Sequence, residues 1–342
     1  MHRLWFRVDH RNGKGRDMKT NVLRLLCMCA CFCPVLGAGQ EGPWPNKPIK
    51  VIVPFGPGSA ADGSGRAVVE LLSKLLGQSM VVENRVGAGG TVGAAAAAKA
   101  APDGYTLMVH SNSHTVTAST YTPAQLGYDP TRDLVGVAPL ALTPSVFVTA
   151  TSKGFANMQA MIDYAKAKPG VINYASAGTG SVTHLGAERL KVAGGFTGTH
   201  IPTKSTPEAM TEVLSGRADY FLSPIGLASQ HIKAGKLVAL AVASTKRSSV
   251  LPNVPTTAEA GVANAEYDTW MGMYAPAKTP REILERLNRE TAKVLRSPEL
   301  QARFDTIVMT PMIMSVDEFA AFLRKDFEMN AQVVKQAGLQ PN

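Results

Sequence analysis

Apolar positions along the chain fall into short extended runs and broader helical faces, with glycine-rich joints between them. Ile49 to Phe55 reads as an apolar strand. Arg66 to Leu76 reads as a helix whose Val68, Val69, Leu71, Leu72, Leu75 and Leu76 form one broad face, closed by Gly77. Ser79 to Glu83 gives a second strand and an alanine-rich helix ends near Ala101. Pro102-Asp-Gly104 then turns into a third strand, Tyr105 to His110. This β-α-β-α-β order predicts a parallel sheet with right-handed crossovers. The theme recurs in an extended stretch, Val135 to Val148, a helix, Met158 to Lys168, and a strand, Val171 to Ser176, that enters another helix through Val192. Thr199 to Pro202, Asp219 to Leu222 and Leu237 to Ser244 are further strand candidates. With no fixed period, they predict a second α/β domain rather than a repeat. The C-terminal part reads as helical. Thr279-Pro-Arg-Glu282 and Ser315-Val-Asp-Glu318 each spell a capping box, and the last helix ends near Gly338 with Phe319, Phe322, Leu323 and Phe327 on its apolar face.

The front of the chain has a different character. Met18 to Arg24 is a short basic segment, Leu25 to Leu36 an apolar run, and Gly37-Ala-Gly39 a small-residue stretch. That order predicts a secretory signal peptide over residues 1–39, with Met18 as a better start than Met1, and the run is too short to span a bilayer. All four cysteines (27, 29, 31 and 33) lie inside it. An exported chain would therefore hold no disulfide, thiol nucleophile or cysteine metal site, and Cys31 follows a poor lipidation motif. Removing residues 1–39 leaves 28 basic and 24 acidic residues, so the formal charge falls from +9 to +4. No lysine/arginine run remains to support nucleic acid binding.

Three joints, at 56–64, 87–93 and 178–184, share one chemistry. Each follows an apolar strand, consists largely of small and hydroxylated residues, and opens a helix. In open α/β sheets such joints gather at the carboxyl edge of the strands, and a helix N-terminus offers unpaired N–H groups to an anion. The pattern predicts a shared cleft for a carboxylate or similar group. Catalytic readings fare worse. Gly58 and Gly63 have P-loop spacing, but Ser64 stands where the lysine belongs. Gly87-Ala-Gly-Gly-Thr-Val92 ends the dinucleotide fingerprint on valine, and no G-x-S-x-G surrounds Ser59 or Ser181. His110 and His114 read as loop histidines rather than a metal pair, His184 as a packing or capping residue, His200 as a core histidine and Asp62 as a helix cap.

Together the motifs resemble the Bug-type substrate-binding proteins of tripartite tricarboxylate transporters. The resemblance rests on Trp44-Pro-x-Lys-Pro-Ile-Lys-Val-Ile-Val-Pro-Phe55, Pro57-Gly-x-x-x-Asp62, Glu83-Asn-Arg-x-Gly-Ala-Gly-Gly90 and Ala101-Pro-Asp-Gly-Tyr-Thr-Leu107. It continues through Tyr128-Asp-Pro130, Tyr174-Ala-Ser-Ala-Gly-Thr-Gly-Ser181 with His184-Leu185, Leu251 to Thr256 with Glu259-Ala-Gly261, and Trp270-x-Gly272, covering essentially residues 44–342. It implies an α/β, two-lobed periplasmic binding protein of type II (Venus-flytrap), with a doubly wound sheet in each lobe and no catalysis, metal or cofactor. The lobes would be 40–142 with the return segment 243–342, and 143–242, crossing near 140–145 and 240–246. A monomer would bind a small carboxylate and serve membrane transporter subunits. The alternatives are a receptor that signals to a sensor kinase and an esterase- or dehydrogenase-like enzyme.

Carried over residue by residue, the first-lobe contacts implied by the resemblance are Phe55, Gly58, Ser59 and Ala60, with Ser111 and Asn112. Those of the second lobe are Ser176, Gly178, Thr179, Gly180 and Ser181, with Thr203 and Lys204. Asp219 matches an acidic position facing the cleft, or else forms a structural salt bridge. Gly58-Ser59 departs from the family's Gly-Gly and Thr203-Lys-Ser205 from its Tyr-Lys-Gly, which puts ligand identity in doubt rather than the site.

Overall fold

The computed structural model describes residues 43–338. The expected signal sequence, the four cysteines within it and the expected start at Met18 lie outside the described residues. Eleven strands are assigned within them: β1 (Ile49–Val53), β2 (Met80–Asn84), β3 (Thr106–Ser111), β4 (Leu134–Thr143), β5 (Ser145–Ala150), β6 (Asn173–Ser176), β7 (Thr199–Pro202), β8 (Tyr220–Pro224), β9 (Leu237–Val242), β10 (Thr269–Pro276) and β11 (Thr310–Pro311). They form two sheets, ordered β11-β4-β10-β3-β1-β2 and β7-β6-β8-β5-β9. β1 pairs in parallel with β2 and β3, and β6 with β7 and β8. β10 and β5 run antiparallel to their neighbours, so each sheet is mixed.

Both faces of each sheet are covered, which is why its strands read as near-continuous apolar runs. In β1, Val51 and Val53 point to the core under the Ala60–Leu76 and Arg281–Leu295 helices. Ile52 points to the opposite core, with Met108, Trp270 and Phe319. The second sheet repeats the pattern, Phe147 on one face and Val146 and Val148 on the other.

The stretch Val135 to Val148 is not one strand. It breaks at Pro144, which has no N–H for a ladder bond, and β4 and β5 belong to different sheets. The chain crosses between sheets here and returns before β10, and the two crossings are bridged by the Ser145 and Thr269 hydroxyls at 3.2 Å.

Two helix starts differ from expectation. The first helix begins at Ala60, not Arg66, because Ser59 Oγ accepts the Asp62 N–H at 3.3 Å and makes Ser59 the cap. Gly65 is tolerated inside it because the helix lies close on the sheet, where an added Cβ would sit 3.4 Å from Val109. Ser315 and Glu318 form their capping box. Thr279 and Glu282 do not: Pro280 takes the boundary position, the cap has no side-chain hydrogen bond, and the buried Thr279 hydroxyl has no protein partner.

Candidate functional site

The carboxyl ends of the parallel strands in both sheets meet at a cavity of ≈ 30 Å³, on the order of two water molecules by volume. Five helices begin on its wall. The first sheet contributes Ser59, Ala60 and Ala61 at the start of Ala60–Leu76, and Ser111 and Ser113 at the start of Ser113–Thr120. The second contributes Ser181, Val182 and Thr183 at the start of Val182–Gly194, Thr206 at the start of Thr206–Leu214, and Pro224, which caps Ile225–Lys233. Phe55, Ala177, Met271 and the Ser145–Thr269 pair complete the lining, in which no residue is charged.

The first-sheet joint is held rigid from behind. Asp62, buried, accepts from the Gly58 N–H at 3.0 Å and from Asn84 Nδ2 at 2.9 Å, and pairs with Arg66 at 2.9 Å. Asn84 also donates to the Phe55 carbonyl. Gly58 has φ +77°, a left-handed turn that suits glycine. Among the described residues nothing accepts the Ala60 and Ala61 N–H groups, so these first-turn donors are free at the cavity wall.

Of the positions expected from sequence, Phe55, Ser59, Ala60, Ser111 and Ser181 line the cavity. Gly58 sits one residue behind, its N–H spent on Asp62. Asn112 braces β10 instead, donating to the Asp268 carbonyl and accepting from the Trp270 N–H. Ser176 Oγ lies 2.6 Å from His200 Nε2, and Thr203 Oγ1 donates to the Ser176 carbonyl at 2.8 Å, so both shape the joint from outside. The Lys204 N–H goes to Glu208 and the residue is exposed.

Gly178, Thr179 and Gly180 pack against the first sheet's loops. Gly178 lies on Gly89, Gly180 lies against Tyr121 and Thr120, and the Tyr121 hydroxyl donates to the Thr179 carbonyl at 3.2 Å. The joint at 87–93 thus braces the meeting of the sheets and contributes nothing to the cavity lining. Asp219 does not face the cleft. It precedes β8, whose far end, Pro224, is at the cavity, and it pairs with Lys153 at 2.6 Å while accepting the Asn173 N–H.

His110, His114 and His184 are buried, and His200 is half-buried. His110 lies in β3 and His114 in the next helix, both essentially inaccessible rather than on a loop. His110 has neither ring nitrogen hydrogen-bonded and sits edge-on to Phe55 at 5.4 Å. Burial, then the neighbouring His114, holds its pKa well below the ordinary imidazole value, and burial lowers His114 to about 4. His184 stacks on His200 at 4.1 Å, and burial lowers them to about 4 and about 3.

Sequence reasoning missed Thr206 and the antiparallel contributors Ser145, Thr269 and Met271. Ser205-Thr-Pro-Glu208 after a strand carries a legible helix-start signal, and Ser205 does cap that helix. The antiparallel residues come from crossing strands and carry no local signal.

A family model described as "Tripartite tricarboxylate transporter family receptor" matches residues 65–339. Protein BugT of Bordetella pertussis is 33% identical over 321 residues, covering 93% of this chain and 98% of that protein. The structure of Rpa4515 from R. palustris with adipate superposes with a TM-score of 0.82 at 30% identity, covering 87% of this chain and 100% of the other. MatC of Rhodopseudomonas palustris with bound malate gives 0.80 at 28% identity, covering 85% and 100%.

Proposed function

This chain belongs to the tripartite tricarboxylate transporter receptor family, and from that premise we propose that it is a periplasmic solute receptor for a small carboxylate. Residues 1–39 direct export. One lobe comprises 40–142 and 243–342, the other 143–242, and the crossings at Pro144 and 243–268 serve as hinges. The first lobe takes the carboxylate in the open state and the second closes over it by hinge bending, excluding water. A tripartite tricarboxylate-type membrane transporter reads the closed form. The work is binding, and no bond is made or broken.

One observation carries the reading. The free N–H groups of Ala60 and Ala61 open a 17-residue helix onto a cavity without a charged side chain. A carboxylate there gains charge-assisted hydrogen bonds of about 1.5–3 kcal/mol each together with the helix dipole. The adipate and malate held by relatives of similar fold are carboxylates of this kind.

Ala60→Pro tests it cleanly. Proline at the first helical position deletes the N–H yet keeps the helix, and Ser59 already has the extended backbone that must precede proline. Calorimetric titration of refolded protein with a panel of mono-, di- and tricarboxylates should show one-to-one binding. The variant should bind about 10- to 100-fold more weakly at unchanged melting temperature. Full affinity in the variant would remove the carboxylate from this helix.

A further inference from the structure

We propose that His184 is a positioning residue for ligand binding, whose Nδ1 lone pair holds the Gly178–Ser181 turn in the shape that docks the second lobe onto the first. The inference rests on the receptor reading above and concerns a residue outside the cavity lining.

It follows from what holds the turn. Gly178 and Gly180 both have positive φ, +114° and +75°. Glycine leaves such a turn many alternative shapes unless its amides are tied down. The Ala177 N–H goes to Thr183 Oγ1 at 3.0 Å, that of Gly178 to Ser176 Oγ at 3.1 Å and that of Ser181 to the Gly178 carbonyl at 3.1 Å. The Gly180 N–H goes to Nδ1 of His184 at 3.3 Å, on the first turn of the Val182–Gly194 helix.

An imidazole that accepts at Nδ1 is neutral and carries its proton at Nε2. The surroundings select that form. Nε2 faces Glu188 Oε1 at 3.9 Å, and this carboxylate is fixed by the Tyr174 hydroxyl and by Lys191 Nζ at 2.8 Å. His200 stacks on the ring at 4.1 Å and keeps its plane. Gly180 is buried, so losing this acceptor strands its N–H and shifts the turn.

The turn is where the second lobe meets the first. The Tyr121 hydroxyl donates to the Thr179 carbonyl at 3.2 Å, and a Cβ on Gly180 would lie 2.7 Å from the Tyr121 ring. Next along the chain, the Val182 N–H donates to Ser113 Oγ at 2.8 Å, and Ser181 and Val182 line the cavity. A turn that shifts at Gly180 loses this fit, and closure over the ligand becomes less favourable.

The test compares His184→Asn with His184→Gln. Both remove the ring and its stacking on His200. Asn carries its amide oxygen as far along the side chain as Nδ1, whereas Gln carries its own at the level of Nε2. Malate, adipate and citrate are titrated into the wild-type protein and both variants. For whichever acid the wild type binds best, His184→Asn should stay within about threefold and His184→Gln should lose about tenfold or more. Equal affinities in the two variants, or a loss only in His184→Asn, would overturn the positioning role, because packing alone does not separate them. Nitrogen NMR of the isotope-labelled wild-type imidazole needs neither variant nor ligand. It should show Nδ1 unprotonated and Nε2 protonated at neutral pH, and the opposite tautomer or a charged ring would overturn the contact with Gly180. If no acid binds the wild type, the carboxylate reading fails, and the nitrogen spectrum alone decides this inference.

Discussion

Gly89 and Thr179 meet backbone to backbone across the two sheets. A Cβ added to Gly89 would lie 2.1 Å from the Thr179 carbonyl oxygen, and Gly89 has φ +65°. The contact permits only a residue without a side chain, so the closeness of the lobes at the cavity depends on it. Gly89→Ala should therefore fold, yet bind ligand at least about tenfold more weakly and stay expanded when ligand is added. Small-angle scattering with and without ligand reads this directly. Normal compaction and affinity would show that the loops do not approach this closely in the bound form.

Asp62 is the anchor behind the first joint, and its loss should be felt in stability as well as binding. Asp62→Ala strands the Gly58 N–H and takes one acceptor each from Arg66 and Asn84, which keep their bond to each other. A cost of about 2–3 kcal/mol is expected, visible as a melting temperature lowered by several degrees. Asp62→Asn, which keeps an acceptor, should recover part of it. Equal melting temperatures for wild type and Asp62→Ala would refute the anchoring role.

Asp219 gives the contrasting case. Its carboxylate, 9% exposed, pairs with Lys153 and accepts from the backbone of β6, at the end of the second sheet away from the cavity. Asp219→Ala should lower the melting temperature and leave ligand affinity within about twofold, well under 1 kcal/mol. A large loss of affinity at unchanged stability would return Asp219 to the binding route.

Acid should destabilise the protein in a defined window. His114 and His184 are held at about 4 and His200 at about 3, each first by burial, whereas an unfolded chain titrates them near the ordinary value of 6.5. Between those limits the unfolded state binds more protons. Stability therefore rises with pH through the window and is lost as pH falls from about 6.5 towards 4. Melting temperature measured from pH 8 to pH 4 should be level at first and then decline below about 6.5. A profile flat to pH 4 would mean that the imidazoles are not buried in their neutral form.

Much of the fold was legible because its signals are local. The strand at 49–53, the glycine closing the first helix at 77 and the Ser315–Glu318 capping box each depend on residues a few positions apart. The same locality misled at Thr279, where the motif is present but Pro280 takes the boundary. It also misled on the extent of the first helix, read as beginning at Arg66 although it starts at Ala60 and contains Gly65, which packing against Val53 and Val109 makes tolerable.

The candidate site divides along the same line. Small residues after a strand announce an anion-friendly helix start, so the joints at 56–64 and 178–184 were legible, and the family resemblance picked out Ser59, Ala60 and Ser181 within them. The remainder was decided by how the two sheets meet. Of three similar glycine joints, two reach the cavity and the one at 87–93 becomes a brace. Ser145, Thr269 and Thr206 arrive from segments far apart in sequence. The sequence by itself determined where helix starts offer N–H groups that have no partner inside their own helix, because that follows from local helix geometry. Only the tertiary structure decided which of those groups face one cavity, because which N–H groups stay unspent depends on contacts between distant strands.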